Sequence, residues 1–371
     1  MTSHDETSAI QISEQTGGQD EGASPFVLLE DLLSIPAVPG RERLIREAIE
    51  RRCKNNGGFD SVETDPLGSL LVRRAPTRPG DGKPLRVLFA AHMDQIGFLV
   101  SHIEEGGFLR LHPVGAFDPR TMLARSVRVV TESGPSLSGV LYAEGRPLHT
   151  APNKDLETVP GLETFFVDLS MPESEVRDQV KLGDMVVYAP SVQRVGASIV
   201  ASGLDDRAGC WAILVALEQA TDHSCEIVAA FSAQEEVGSR GAVPLGYAVD
   251  ADIAIACDTT VCSALPGTAP QHHVTKAGAG VSIQIADAST ISDHSLVNKL
   301  ETLAKERSIP CQRSLMMGGG QDGARLQVAR RGVPTIVISC PIKYLHTATE
   351  MAHTVDLESY RDLLAAAMET L

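Results

Sequence analysis

Apolar runs of strand length alternate with helical patterns from about residue 196 to the C-terminus. The strand-like runs include CEIVAAFSAQ, ADIAIACD and PTIVISC, and the last helical pattern is DLESYRDLLAAAMETL. An earlier run, from Leu85 to Ala91, is almost continuously apolar, as expected for a central strand that is buried on both faces. Alternating strands and helices form a mostly parallel sheet. The pattern therefore predicts an α/β fold with a mostly parallel central sheet flanked by helices.

The pattern changes between about residues 118 and 195. SVRVVTE, LSGVLYAE, FFVDLS and DMVVYAP are short β-like segments separated by Gly, Pro and charged residues, which is typical of a small β domain, barrel-like or sandwich-like. We therefore expect an α/β domain of residues 25–117 and 196–371, interrupted by an inserted small β-barrel-like domain of residues 118–195. Residues 1–24 are polar and acidic and lack a signal-peptide pattern, which predicts a mobile tail.

The acidic composition excludes two classes of partner. Asp and Glu number 48 against 32 Lys and Arg, and the formal net charge is −16. Such a chain repels phosphate backbones and anionic lipid surfaces, so we expect no nucleic-acid and no membrane partner. The seven cysteines form no C-x-x-C pair, and several lie in apolar runs. They are predicted to be buried, reduced thiols, which indicates a cytoplasmic location.

Acidic or imidazole side chains follow four of the apolar strands at their C-terminal ends. These side chains are His92 and Asp94, Glu235 and Glu236, Asp258, and His346. Two further carboxylates, Asp205 and Asp206, stand at the start of a predicted helix. Ligands of open α/β sheets bind outside the carboxyl ends of the strands. We therefore expect these groups to converge, although alone each has an ordinary explanation, such as a helix N-cap for Asp205.

A convergent acidic cluster of this kind indicates a metal centre. Several carboxylates packed together repel one another, and some would have to stay protonated at neutral pH. Two divalent cations remove this repulsion, because two His and three carboxylates give each ion one His and one terminal carboxylate, with one carboxylate shared. A nitrogen and oxygen donor set without thiolate favours Zn²⁺, Co²⁺ or Mn²⁺ over Ca²⁺.

Six motifs carry these residues in one order along the chain. They are AAHMDQIGFLV, GLDDRAG, SAQEEVGSRGA, ACDTT, GGGQDGARLQVARRGVPTIVIS and PIKYLHTATEMAH. Together they resemble the glutamyl- and leucyl-aminopeptidase family of dinuclear metallopeptidases, which includes tetrahedral aminopeptidases and has sometimes been labelled endoglucanase. The resemblance covers about residues 26–371.

The resemblance implies a ligand set. It consists of His92 and Asp258 for one ion, Glu236 and His346 for the other, and Asp205 as the bridge. The cofactors would be two divalent ions per subunit, Zn²⁺ or Co²⁺. In relatives the peptide bond between the two adjacent Asp residues is typically cis.

The resemblance also implies a reaction. Glu235 would act as general base on a metal-activated water, and the Asp94 carboxylate would bond the His92 imidazole and fix its tautomer. The substrates would be peptides with a free N-terminus, from which the N-terminal residue is removed. Members of the family usually assemble into homo-oligomers, from dimers to dodecamers.

Three departures from the family pattern leave the implied ligands intact. Gln95, Gln321 and Ala348 stand where Glu, Thr and Pro are frequent. Two alternative functions stay open at this point. A dinuclear deacylase of N-acyl amino acids or related amide metabolites would use the same centre, and a catalytically silent interaction protein would keep only the fold.

Overall fold

The structure is a computed structural model of the chain, and it describes residues 24–80, 82–132, 134, 136–147, 149–152 and 157–371. The predicted tail of residues 1–24 lies, except for Ser24, outside these ranges. The helices of the described residues are Val27–Ser34, Arg43–Asn56, Glu173–Gln179, Leu204–Gln219, Ala242–Val249, His294–Glu306, Gly323–Leu326 and Thr354–Thr370.

Seventeen strands are described. They are β1 (Ser61–Thr64), β2 (Leu70–Arg74), β3 (Arg86–His92), β4 (Gly97–Ile103), β5 (Leu109–Val114), β6 (Arg125–Val130), β7 (Leu137–Ala143), β8 (Phe165–Asp168), β9 (Met185–Tyr188), β10 (Gln193–Val195), β11 (Ser198–Ala201), β12 (Glu226–Ser232), β13 (Ile253–Val261), β14 (Val281–Ala286), β15 (Cys311–Leu315), β16 (Thr335–Lys343) and β17 (Glu350–His353).

Eleven of these strands form the large central sheet. Its main path runs β1-β2-β12-β3-β13-β16-β17-β11-β10, with β14 also paired to β16 and β15 to β14. The four neighbouring strands β12, β3, β13 and β16 are parallel, and they are the continuously apolar runs of the sequence. The pairings toward both ends of the main path are antiparallel. The predicted α/β fold is confirmed, with its parallel strands at the centre of the sheet.

Helices cover the central sheet and complete its core. The helix Leu204–Gln219 is buried along nearly its whole length, and the Trp211 ring packs against the Phe26 ring with 5.4 Å between centroids. Trp211 is fully buried, and truncating a buried aromatic side chain of this size typically costs ~3–5 kcal/mol. This packing fixes the start of the helix, where Asp205 lies.

A closed antiparallel barrel stands beside the sheet. Its strand order is β4-β5-β8-β7-β6-β9, and its interior is a separate apolar cluster that includes Phe98, Leu141 and Phe165. Closure leaves a sheet without free edges. The predicted type of inserted domain, a small β-barrel, is confirmed.

The barrel begins earlier in the chain than predicted. Strands β4 and β5 belong to it, and both lie before residue 118, so the barrel strands run from Gly97 to Tyr188 rather than over residues 118–195. β10, predicted to be part of the insertion, pairs with β11 in the central sheet. Only Met93–Ile96 separates β3 from β4. A connection this short has no linker composition that would mark the boundary.

Two predictions from composition can be compared with the described residues. All seven cysteines lie within the described residues and are free thiols, as predicted. In the described part of the chain, no helix combines the length and the apolar character needed to cross a bilayer.

Candidate active site

The carboxyl ends of the four parallel strands deliver the predicted side chains to one edge of the sheet. His92 ends β3 and pairs in register with Ser232 at the end of β12. Glu235 and Glu236 follow β12 in a short 3-10 turn, and Asp258 lies within β13, near its carboxyl end. These side chains, together with Asp205 and His346, line one cavity of about 900 Å³.

Asp205 lies between two imidazoles. Its Oδ1 atom is 3.2 Å from His92 Nε2, and its Oδ2 atom is 3.2 Å from His346 Nε2. Each imidazole has a second carboxylate beside it: Asp258 Oδ1 is 3.9 Å from His92 Nε2, and Glu236 Oε2 is 3.4 Å from His346 Nε2. Within each group of three, the donor atoms lie within 4.8 Å of one another. The two groups share Asp205.

The outer nitrogens of both imidazoles are occupied by backbone carbonyls. His92 Nδ1 lies 2.9 Å from the carbonyl oxygen of Asp94, and His346 Nδ1 lies 3.0 Å from that of Ala116. A carbonyl only accepts, so Nδ1 carries the proton in each ring. Burial alone would lower the pKa of both imidazoles, but the Asp205 carboxylate raises it, so without a metal Nε2 also carries a proton and donates to Asp205. A metal ion would displace that proton and take Nε2 as its ligand atom.

The Asp94 carboxylate has a different partner from the one expected. Its Oδ1 atom is 3.7 Å from His92 Nδ1, which is too long for a hydrogen bond. Its two oxygens instead accept from the backbone N–H groups of Glu235 and Glu236, each at 3.0 Å. Asp94 is fully buried. It therefore fixes the turn that presents both Glu side chains, and it orients His92 through its carbonyl.

Burial raises the pKa values of several acidic groups of the site. Burial of the Glu235 carboxyl, reinforced by the Asp322 and Asp94 carboxylates, raises its pKa to about 7, while His92 and the Ser239 hydrogen bond oppose the shift. The Ser239 hydroxyl donates to Glu235 Oε1 at 2.7 Å. Burial also raises the pKa values of Glu236 and Asp258 well above the ordinary range. A group with a pKa near 7 exchanges protons readily at neutral pH.

The pKa of Asp205 is shifted in the opposite direction. Burial alone would raise its pKa, but the hydrogen bonds with His346 and His92 hold the pKa of this carboxyl well below its usual range. The peptide bond between Asp205 and Asp206 is cis, as the resemblance implied. Asp206 Oδ1 accepts from the Gly209 N–H at 2.9 Å, so Asp206 secures the first turn of the helix that carries Asp205.

The donor set fits divalent cations. Glu236 Oε1 and Asp206 Oδ2 are buried and have no hydrogen-bond partner among the described residues. A buried carboxylate oxygen without a partner is costly, and the cost is greater where other carboxylates lie nearby. Cations held by the two groups of donor atoms that share Asp205 would reduce this cost. Imidazole nitrogens with carboxylate oxygens are donors that Zn²⁺ and Co²⁺ accept.

Glu350 is part of the site but was not predicted. One of its oxygens accepts from the Asp205 N–H at 3.2 Å, and the other accepts from the His346 N–H at 2.9 Å. Burial, with the Asp205 charge, raises the Glu350 pKa to about 8. Glu350 stands within the HTATE motif, but the sequence contains nothing to show that its side chain reaches a helix start 145 positions away.

Other segments complete the cavity lining. Its apolar part includes Val261, Met316, Val328 and Leu345, and a Gly-rich loop of residues 318–320 lies beside them. Gln321 holds this loop, because its amide donates to Asp287 at 2.9 Å. The cavity lining therefore combines the acidic and imidazole groups with apolar side chains.

Comparison with known proteins identifies the family of the chain. The family model of the M42 glutamyl aminopeptidases matches residues 73–363. The chain belongs to this family. It is thus an aminopeptidase, a hydrolase, as the resemblance of its motifs implied. The matched region contains every predicted site residue.

Three relatives show how far the similarity extends. A putative aminopeptidase of Acetivibrio thermocellus is 31% identical over 344 residues, covering 92% of this chain and 98% of the relative. Among solved structures, aminopeptidase APDkam598 from the archaeon Desulfurococcus kamchatkensis has a TM-score of 0.86 at 31% identity, over 93% of this chain and 94% of that one. The TET1 peptidase of Pyrococcus horikoshii, which can assemble into a tetrahedron or a large octahedral shell, has a TM-score of 0.80 at 33% identity, over 92% and 98%.

Proposed function

We propose that this M42 aminopeptidase removes N-terminal residues from peptides by two-metal hydrolysis, with Glu235 as general base. The observation that carries the proposal is the position of Asp205 between His92 and His346, 3.2 Å from each. A carboxylate with one oxygen directed at each of two imidazoles is arranged to bridge two cations.

The ligand roles follow from the two groups of donor atoms. His92 and Asp258 would hold one ion, His346 and Glu236 the other, and Asp205 would bridge them. When bound, the ions supply Lewis acidity at the scissile carbonyl and lower the pKa of a water nucleophile. We expect Zn²⁺ or Co²⁺, because the donors are imidazole and carboxylate.

Glu235 is suited to move the proton. It lines the cavity together with both groups of donors, and its carboxylate would take a proton from the attacking water and return one to the leaving amine. Ser239 holds one Glu235 oxygen at 2.7 Å, which leaves the other free to face the water. Asp94 acts as a positioning residue, because it fixes the backbone of Glu235 and Glu236.

Peptides with a free N-terminus are the proposed substrates. The carboxylates that line the cavity suit a protonated α-amine, and its apolar lining residues suit a side chain. A deacylase of N-acyl amino acids would use the same centre but would have no α-ammonium to place there. A catalytically silent protein would not need Glu235 and all five proposed ligands together.

The test compares blocked and free substrates. Chelator-stripped protein, reloaded with Zn²⁺ or Co²⁺, is assayed with a panel of aminoacyl-anilides and with their N-acetylated counterparts. The proposal expects hydrolysis of the free-amine series and at least ~100-fold slower hydrolysis of the blocked series, as for a lost charge-assisted contact. Release of acetate from N-acetyl amino acids, without release of aniline from either anilide series, would favour the deacylase, and hydrolysis of none of these substrates would favour the silent protein.

We also propose assembly into a homo-oligomer, between a dimer and a dodecamer. The support is the assembly named for the Pyrococcus horikoshii relative. The net charge of −16 disfavours nucleic acid and anionic membranes as partners, and seven free thiols agree with a location in the reducing cytoplasm. Light scattering of the purified protein would give the subunit number.

A further inference from the structure

One buried side chain joins the two chain segments that carry the proposed bridge and the proposed His ligand of the second metal. Glu350 is 2% exposed. Its Oε2 atom accepts from the backbone N–H of Asp205 at 3.2 Å, and its Oε1 atom accepts from the backbone N–H of His346 at 2.9 Å. Glu350 belongs to neither group of donor atoms.

The sheet explains how one residue reaches both segments. Glu350 begins β17 and pairs with Ala201, the last residue of β11, and the chain turns from there into the helix that carries Asp205. On its other side, β17 pairs with β16, whose exit turn carries His346. Glu350 therefore sits between two turns that have no direct connection along the chain.

The turn that carries His346 needs such support. Tyr344 and His346 both adopt positive φ, 60° and 59°, a backbone conformation that non-glycine residues rarely take. The His346 side chain is 27% exposed, so packing alone does not fix the turn. The hydrogen bond from the His346 N–H to the buried Glu350 side chain, 2.9 Å long, holds His346 at one distance from Asp205.

We infer that Glu350 is a positioning residue that sets the separation of Asp205 and His346, and hence the affinity of the metal ion held between them. This inference rests on the proposed function, because it assumes that these two residues ligate an ion. Groups that orient metal ligands typically change metal affinity 10–100-fold when replaced.

The decisive variant is Glu350→Gln. It keeps the shape of the side chain, but its NH₂ group cannot accept a hydrogen bond, so one of the two backbone N–H groups loses its partner. Calorimetric titration of metal-free protein with Co²⁺ is expected to show at least one binding step weakened about 10–100-fold relative to wild type. Cobalt absorption bands would report the altered ligand geometry.

A matched control separates positioning from general stability. Asp356 is also fully buried, and its two oxygens also accept from two backbone N–H groups, Gly278 at 2.8 Å and Gly280 at 2.7 Å, but it contributes to neither donor group. Asp356→Asn therefore removes an equivalent acceptor elsewhere. We expect it to lower thermal stability while both Co²⁺ affinities stay within about threefold of wild type, a small change beside the 10-fold minimum expected at Glu350.

The outcomes are distinguishable. Unchanged Co²⁺ affinities and absorption bands in Glu350→Gln, or an equal loss in Asp356→Asn, would overturn the inference. If Glu350→Gln does not fold, Glu350→Asp carries the test, because it keeps a carboxylate that is one methylene too short to reach both segments and should also weaken Co²⁺. Wild-type protein that binds Co²⁺ yet hydrolyses no anilide would refute the proposed function alone, whereas wild-type protein that binds no Co²⁺ would refute both.

Discussion

The Nε2 atom of His92 lies 3.2 Å from Oδ1 of Asp205, although 113 positions separate them in the chain. His92 reaches this point from the end of the central strand β3, and Asp205 reaches it from the start of a buried helix. Neither residue belongs to a local motif that would require the contact. The packing of that helix on the sheet creates it.

Removal of the Asp205 charge is the first prediction. Asp205→Asn should lose metal at both positions, because the side chain then offers one neutral acceptor in place of a shared carboxylate. Metal content by elemental analysis should fall, and kcat/KM should drop at least ~100-fold. Asp178→Asn, an exposed carboxylate on the barrel, is the control and should change neither quantity. Full occupancy in the Asp205 variant would refute its role as bridge.

Replacement of the proposed base should separate metal binding from turnover. Glu235→Gln keeps the size of the side chain but cannot take a proton. We expect kcat to fall ~10²–10⁴-fold, while the metal content stays at the wild-type value. Ser239→Ala, which removes only the hydroxyl that holds Glu235, should reduce kcat far less. Undiminished turnover in Glu235→Gln would mean that another group moves the proton.

The stability of the metal-free protein should fall as the pH rises. Burial raises the pKa of Asp322 to about 6, of Glu235 to about 7 and of Glu350 to about 8, against unfolded values near 4. Between these limits the folded state keeps protons that the unfolded state has released, so each increase in pH favours unfolding.

Calorimetry with and without metal measures this effect. The melting temperature of metal-free protein should be lower at about pH 8.5 than at about pH 5.5. Bound divalent ions should reduce the difference, because their positive charge favours the ionised form of nearby carboxyl groups. Metal-free protein whose melting temperature rises or stays constant over this range would contradict the assignment of raised pKa values.

A glycine before Asp205 provides a backbone test. Gly203 has φ of +76°, and a Cβ added there would lie 2.8 Å from Gln95 Oε1. Gly203→Ala should therefore incur both the strain of positive φ, ~1–2 kcal/mol, and a clash that the buried Gln95 amide must move to relieve. Gly40 has the same φ, but a Cβ there would meet nothing within 4 Å.

The matched pair separates the two effects in denaturant unfolding. Gly40→Ala should lower the free energy of unfolding by ~1–2 kcal/mol and leave metal affinity unchanged. Gly203→Ala should cost more, because the buried Gln95 amide must also move away from the added methyl group. Equal losses in the two variants would show that the Gln95 contact does not matter.

The residues at the strand ends could be predicted from sequence because a local pattern, the continuous apolar run, marks each central strand. Continuous apolar runs mark central strands such as β13 and β16, and parallel strands meet at one edge. Asp258 and His346 were therefore expected near His92 before any coordinate was known. The pairing of each imidazole with its second carboxylate came from the family resemblance, and the donor groups of the structure follow it.

The rest depends on contacts that leave no pattern. The barrel boundary at Gly97 was missed because only Met93–Ile96 separates β3 from β4, so no linker marks where the chain leaves the central sheet. The Asp94 carboxylate binds the backbone of Glu235 rather than the His92 ring, and Glu350 binds backbone from two distant segments. A backbone N–H has no residue identity, so sequence cannot indicate which one a buried carboxylate will accept.

The number of metal ions needed for activity tests the central claim most directly. Metal-free protein is titrated with Co²⁺, and aminoacyl-anilide hydrolysis is followed at each step. A centre bridged by Asp205 predicts that activity rises to its plateau at two ions per subunit. A plateau at one ion, or full activity in the presence of excess chelator, would contradict it.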